Sequence, residues 1–267
     1  MKKILLPTDF SAASKNAIQH ALRYFSKTPV EFVLLNACGN TLGVSPDGLA
    51  LYADLTKQVE ANLQKLAEEL TSANRDTNCQ FRTVAMAVEP DLAISMMLQA
   101  EHVDWVVVGA TGSEKTIRFG SVATALVRAN RCHVLVIPAT SQPGPLLNVV
   151  LATDYQPLGF AGAKALQDLV GNHHAQLTFL TILAKDAMTS APDKAIREAF
   201  QSRFADLNTT EVIESHVGLQ AGISNYVESH YVDLLVTASH HRSLLDVLLN
   251  RSTTCLSSSD SVSCSGR

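Results

Sequence analysis

The sequence predicts an α/β fold made of two tandem units, each an open, largely parallel sheet covered by helices. Three observations carry that prediction. Short apolar runs rich in β-branched residues alternate with stretches whose apolar residues recur every three or four positions, as a parallel sheet with crossover helices requires. One of these runs, Trp105 to Val108, is apolar without interruption, as expected of a strand buried on both faces, and it ends at once in Gly109. The pattern of the first half then returns after a linker bearing proline and glycine.

Taken in order, Lys2 to Thr8 (KKILLPT) is a strand ending at Asp9. Ser11 is placed to cap a helix in which Ala17, Ile18, Ala21, Leu22 and Phe25 share a face. Val30 to Ala37 is the second strand, and the glycines and proline between Cys38 and Gly48 mark a loop over Cys38 to Asp47. Leu55, Val59, Leu63, Leu66 and Leu70 predict a long amphipathic helix over Leu51 to Leu70, with Lys57, Glu60, Lys65, Glu68 and Glu69 on its solvated face. A third strand, Phe81 to Val88, leads through Pro90 into a helix over Asp91 to Ala100. Asp104 to Val108 is the fourth strand. Gly109 and Gly112 bracket a turn after it, and Gly120-Ser121 opens a helix whose apolar positions include Val122, Ala125 and Leu126. His133 to Pro138 (HVLVIP) closes the unit as its fifth strand.

Ala139 to Leu146 (ATSQPGPL) reads as the linker, giving a first domain over 1–140, a second over 147–256 and a serine-rich tail over 257–267. The repeat is explicit: ILLPTDF at Ile4 to Phe10 returns as VVLATDY at Val149 to Tyr155, so that Asp154 answers Asp9 at an offset of 154 − 9 = 145. Val217 and Asp233 answer Val88 and Asp104 at an offset of 129, so 16 residues are missing between the second and third strands of the second copy. Its end, CLSSSDSVSCSGR, holds no apolar run for a fifth strand. The second sheet is therefore expected to lack that strand or to have the edge covered by another chain, and the tail is expected to be poorly ordered.

With 267 residues, 46% hydrophobic and 17% charged, the chain can bury ample core. A net charge of -4 gives no electrostatic case for nucleic acid. No run approaches the roughly 18 apolar residues of a membrane span. The N-terminal MKKILLPTDF is too short in apolar residues for a secretory leader, so a cytoplasmic location without a membrane partner is expected. Five cysteines without a CxxC pair read as reduced thiols. The pairs His173-His174 and His240-His241 lack a carboxylate or cysteine at ligand spacing, and no metal site is expected from them.

A strand, a glycine-bearing turn and a helix start form the architecture that receives phosphate, because the first helical turn presents free N–H groups and a positive dipole end. The P-loop and dinucleotide patterns are not met, and two glycines after a strand also mark an ordinary tight turn. The segment resembles the universal stress protein family, whose nucleotide-binding members carry G-x2-G-x9-G-[ST] after the fourth strand. Gly109, Gly112, Gly120 and Ser121 match in type and order, with a second spacer of seven residues, Ser113 to Phe119. The resemblance covers nearly the whole chain, twice. It implies Rossmann-like domains of the adenine nucleotide alpha hydrolase type with strand order 3-2-1-4-5, and a stress-response role. It implies an adenine nucleotide, ATP or else ADP or AMP, with Mg2+ as a candidate cation. Pro7, Thr8 and Asp9 would then lie beside the adenosine, the backbone of Ala37 would edge the adenine, and Val108, Gly109, Gly112, Ser113, Gly120, Ser121 and Val122 would hold ribose and phosphates. Family members pair domains through the fifth strand, which implies an intrachain pseudo-dimer, with a homodimer as a further assembly.

In the second copy Ala238, His241 and Arg251 replace the three glycines while Asp154 and Ser252 remain, so that site reads as degenerate. One nucleotide per chain is expected, in the first copy. Two other classes stay open: an assembly module that binds no nucleotide, and a slow ATP hydrolase. No catalytic residue is assigned, because Ser113, Glu114 and Lys115 offer no serine-histidine-acid arrangement.

Overall fold

Five parallel strands build the first half: β1 (Lys2–Pro7), β2 (Val30–Ala37), β3 (Cys79–Met86), β4 (Trp105–Ser113) and β6 (His133–Pro138). The computed structural model describes residues 1–39, 46–75, 77–113, 116–118, 126, 131–184, 192–238 and 262–266. The strands lie in the order β3-β2-β1-β4-β6, which is the expected 3-2-1-4-5. Chain direction reverses its lateral progress between β1 and β4, where Ile4 pairs with Trp105. In the second half β7 (Asn148–Ala152), β8 (Gln176–Ala184), β9 (Asn208–His216) and β10 (Leu234–Ala238) repeat the order as β9-β8-β7-β10, again parallel.

Side-chain alternation along the strands makes two cores. Ile4 and Leu6 point into one and Leu5 into the other, and all three are fully buried. The first core runs without a break from Leu63 and Trp105 in the first half to Leu166 and Phe179 in the second. Both faces of the sheet are covered, which is why the strands read as continuous apolar runs.

Helix α1 (Ala12–Phe25) starts at the predicted cap, where Ser11 Oγ accepts from the Ser14 amide at 3.3 Å. Helix α2 (Pro46–Ala73) begins earlier than the expected Leu51, so Gly48 lies inside a helix. Proline suits the first helical position, and one interior glycine costs only about 1 kcal/mol. Residues 40–45 of the expected loop lie outside the described residues. Helix α3 (Pro90–Ala100) follows β3, and α4 (Phe160–His173), α5 (Lys194–Gln201) and α6 (Leu219–Ser229) serve the second half. Among the described residues no helix is long and apolar enough to cross a membrane.

Strand β3 runs over Cys79–Met86, two residues earlier than the expected Phe81 to Val88. Two further expectations change. Gly109 and Gly112 were expected to bracket a turn, but β4 runs through both to Ser113 and folds back as an antiparallel hairpin with β5 (Thr116–Arg118), Gly112 facing Ile117. Ladder pairing holds glycine extended where local propensity alone would break the strand. The tail was expected to be poorly ordered, yet Val262–Gly266 forms β11. It pairs antiparallel with all of β10 and parallel with Leu135 and Val136 of β6. The second parallel unit thus keeps four strands, as expected, and the chain's own tail covers its edge and joins the two halves into one sheet.

Candidate functional site

Residues Thr8 to Ser11 form a tight turn where β1 ends beside the point at which strand order reverses. Phe10 takes a left-handed backbone (φ 63°), an uncommon conformation for a side chain of that size. Two hydrogen bonds hold it: the Phe10 amide donates to Thr8 Oγ1 at 3.0 Å, and the Ser11 amide donates to Asp9 Oδ1 at 3.0 Å. The Ser14 hydroxyl donates back to the Ser11 carbonyl and lies 3.1 Å from Thr8 Oγ1, so the turn is fastened to the first turn of α1. Thr8 and Ser14 are buried, and Asp9 is exposed. Partial burial works against charge on Asp9, but hydrogen bonds from Ser11 and Ser14 outweigh it and hold the carboxyl below its ordinary range. The side chain is therefore an anion and an acceptor at neutral pH.

The second copy builds the same turn. Tyr155 has φ 64°, its amide donates to Thr153 Oγ1 at 2.8 Å, and the Gln156 amide donates to Asp154 Oδ1 at 3.1 Å. Beneath each turn one side chain from the neighbouring strand satisfies the threonine carbonyl. Asn36 Nδ2 donates to the Thr8 carbonyl at 2.7 Å, and Thr181 Oγ1 donates to the Thr153 carbonyl at 2.8 Å. Asn36 and Thr181 stand at the 145-residue offset. Sequence reasoning missed Asn36 and Ser14, although a lone amide in the apolar run VLLNA signals a buried group in need of a partner.

Around this turn the sequence-derived candidates gather as follows. Pro7 ends β1, Ala37 ends β2 with its side chain against the second core, and Val108 is buried in β4. Beside Ala37, a Cβ on Gly39 would lie 2.5 Å from Glu89 Oε1, so the Glu89 side chain lies against the Gly39 backbone, a contact the sequence did not announce. Gly109 sits against the first turn of α1. A Cβ there would come within 2.6 Å of the Ala13 carbonyl oxygen, so the close approach that demands glycine is made by the protein's own helix. Gly112 and Ser113 belong to the hairpin backbone, and Gly120, Ser121 and Val122 lie outside the described residues. In the second copy Ala238 ends β10, while His241, Arg251 and Ser252 lie outside the described residues. Helix α4 begins at Phe160, whereas an offset of 145 from Ala12 would start it at Pro157. This later start accords with an alanine at position 238, where the first copy needs Gly109.

Residues 1–138 match the family model described as the universal stress protein family. The chain belongs to that family. It is 26% identical over 152 residues to a universal stress protein of Methanocaldococcus jannaschii, a match covering 51% of this chain and 94% of the relative. Among solved structures, a universal stress protein from Archaeoglobus fulgidus superimposes with a TM-score of 0.74 at 18% identity, over 94% of this chain and 95% of the other. A protein from Pseudomonas aeruginosa described as a putative universal stress protein gives a TM-score of 0.60 at 15% identity, over 98% and 92%. Both superpositions take in the two halves together, so the tandem fold extends beyond the segment that the family model matches.

Proposed function

We propose that this member of the universal stress protein family binds one adenine nucleotide, ATP in the first instance, at the carboxyl end of β1 and β4 in its first half. One observation carries the reading: the Thr8-Asp9-Phe10 turn places a charged carboxylate at the switch point of an open parallel sheet, where such folds receive ligands. Asp9 would accept from ribose hydroxyls, and the backbone of Ala37 would meet the adenine edge. Gly112, Ser113, Gly120 and Ser121 would serve the phosphates, with Mg2+ as counter-ion, and the protein would act in the cytoplasm. The second copy keeps the turn around Asp154 but replaces the glycines, so it contributes fold and no second nucleotide.

The packing role of Gly109 favours a second reading, a nucleotide-free assembly module in which the glycine is purely structural. Titration calorimetry separates the two. A stoichiometry near one, abolished by Gly120→Arg and untouched by Arg251→Gly, supports the site. No heat with MgATP supports the module. A ligand at a hundred times its dissociation constant stabilises the folded state by about 2.7 kcal/mol, so MgATP should raise the melting temperature and GTP should do so less. Equal shifts for the two would count against an adenine-reading edge.

A further inference from the structure

The packing between the halves contains two histidines that burial holds toward the neutral state, although their hydrogen bonds favour the proton. His20, on α1, is fully buried. Its Nε2 lies 3.0 Å from Ser141 Oγ in the connection between the halves, and that hydroxyl lies 2.8 Å from the Pro138 carbonyl, which can only accept. The hydroxyl therefore donates to the carbonyl and accepts from the imidazole N–H. The other ring nitrogen, Nδ1, faces no hydrogen-bond partner among the described residues. Asn16 Nδ2 reinforces the same junction at the carbonyls of Pro138 (3.2 Å) and Ser141 (3.0 Å). One turn along α1, the ring of Tyr24 stands edge-on to His20 and to His173 of α4, with centroids 5.6 and 5.9 Å away. His173 Nε2 lies 3.0 Å from the Tyr24 carbonyl, so it too is held as a donor. His20, Tyr24 and His173 thus form one series from the inter-half connection across α1 to α4.

We propose that this series is a proton-operated clamp between the halves, closed while both imidazoles are neutral and released when they take up protons. A proton on His20 Nδ1 would create a buried N–H and a buried charge with nothing among the described residues to receive either. The described groups around it offer no rescue. Residues 139–147 carry no charge, and β4 meets α1 through Trp105 and Val107. From β6 comes His133, against Trp105. Helix α1 itself adds Arg23, and Lys27 follows its end, where the ammonium already donates to the Asn172 carbonyl of α4. On α4, His174 follows His173, and Asp168 is bridged to both Lys2 and Lys164. Burial lowers the proton affinity of both imidazoles, and for His173 the charges of Lys27 and Arg23 lower it further. The closed state therefore binds fewer protons than the open one. Its advantage is complete above the ordinary histidine range near pH 6.5 and is lost as pH falls below it.

Hydrogen exchange of the full chain, corrected for intrinsic rates, tests the clamp at pH 7.5 and pH 5. The proton affinities are depressed in the closed state, so protection of residues 139–147 and α4 should be lower at pH 5 than at pH 7.5. His20→Gln keeps an N–H for Ser141 but cannot titrate, and should blunt the change; adding His173→Gln should remove it. Equal protection at both pH values in the native chain, or an undiminished loss in the double variant, overturns the proposal. Should the variants fail to fold, an NMR titration of the native imidazoles replaces them. A His20 resonance titrating at or above about 6.5 overturns the clamp, and one titrating below supports it.

Discussion

Gly109 shows how one residue can satisfy two explanations in sequence and one in structure. As a letter after a buried strand it resembles a phosphate-loop glycine, yet a methyl group there would strike the Ala13 carbonyl at 2.6 Å. Gly109→Ala should therefore cost about 1–3 kcal/mol through overpacking, read as a lower urea midpoint without nucleotide. Unchanged stability with lost nucleotide binding would instead restore the phosphate-loop explanation. Asp9 makes a different prediction. Its folded-state proton affinity is lowered by Ser11 and Ser14 despite burial. Its stabilising contribution is therefore full above the ordinary aspartate range, about pH 4, and is lost as pH falls through the lowered folded value. Asp9→Asn should flatten that limb of an acid-unfolding profile, and an unaltered limb would mean the hydrogen bonds contribute nothing. The Thr-Asp pair was legible because it occurs twice at a fixed offset. Ser14 and Asn36 were not, because what marks them is the carbonyl or hydroxyl each satisfies, and only the folded chain brings those near.

At the scale of elements, two strands were legible to the residue: Val30–Ala37 and His133–Pro138 stand where the apolar runs place them. Glycine governed some of the misplaced boundaries, while β3 lies two residues earlier than the apolar pattern places it. Gly48 did not stop α2, and Gly109 and Gly112 did not stop β4, because pairing with β5 and β6 supplies what local propensity lacks. Charges at the opposite end of the sheet from the site tie elements together in a way no local window shows. Arg82 on β3 bonds Glu31 of β2 and Glu101 at the end of α3, and Lys3 of β1 reaches both acids. Arg82→Met would leave two carboxylates sharing one lysine. Arg82 is 38% exposed, so the loss should be no more than about 1 kcal/mol. It should shrink further in about 1 M salt, where the screening length falls to about 3 Å. A loss independent of salt would mean that Arg82 acts through the packing of its stem.

On the scale of the whole molecule, the second copy is what remains of a domain after shortening between its second and third strands and the loss of its last parallel strand. The repeat and the missing strand were visible in the sequence; the replacement was not, because Val262–Gly266 has no apolar periodicity and its role exists only between two edges. Those edges are costly to leave open. Leu234, Leu235 and Val236 of β10, and Leu135 and Val136 of β6, are all at most 1% exposed, and β11 lies between them. Ending the chain at Ser261 would unpair five residues of β10 and the facing part of β6. Buried backbone groups without partners cost about 1–3 kcal/mol each, and an apolar edge pairs with whatever strand it meets. The truncated chain should therefore melt at a lower temperature and, relative to the full chain, form dimers or larger species by light scattering. The ion pair Lys2–Asp168 and the α1–α4 contact would still hold the halves near one another, so the loss should be partial and should not resemble unfolding of one half. A truncated chain with unchanged melting temperature and mass would show that β6 and β10 close on each other directly, as fifth-strand pairing between two complete domains would have them do.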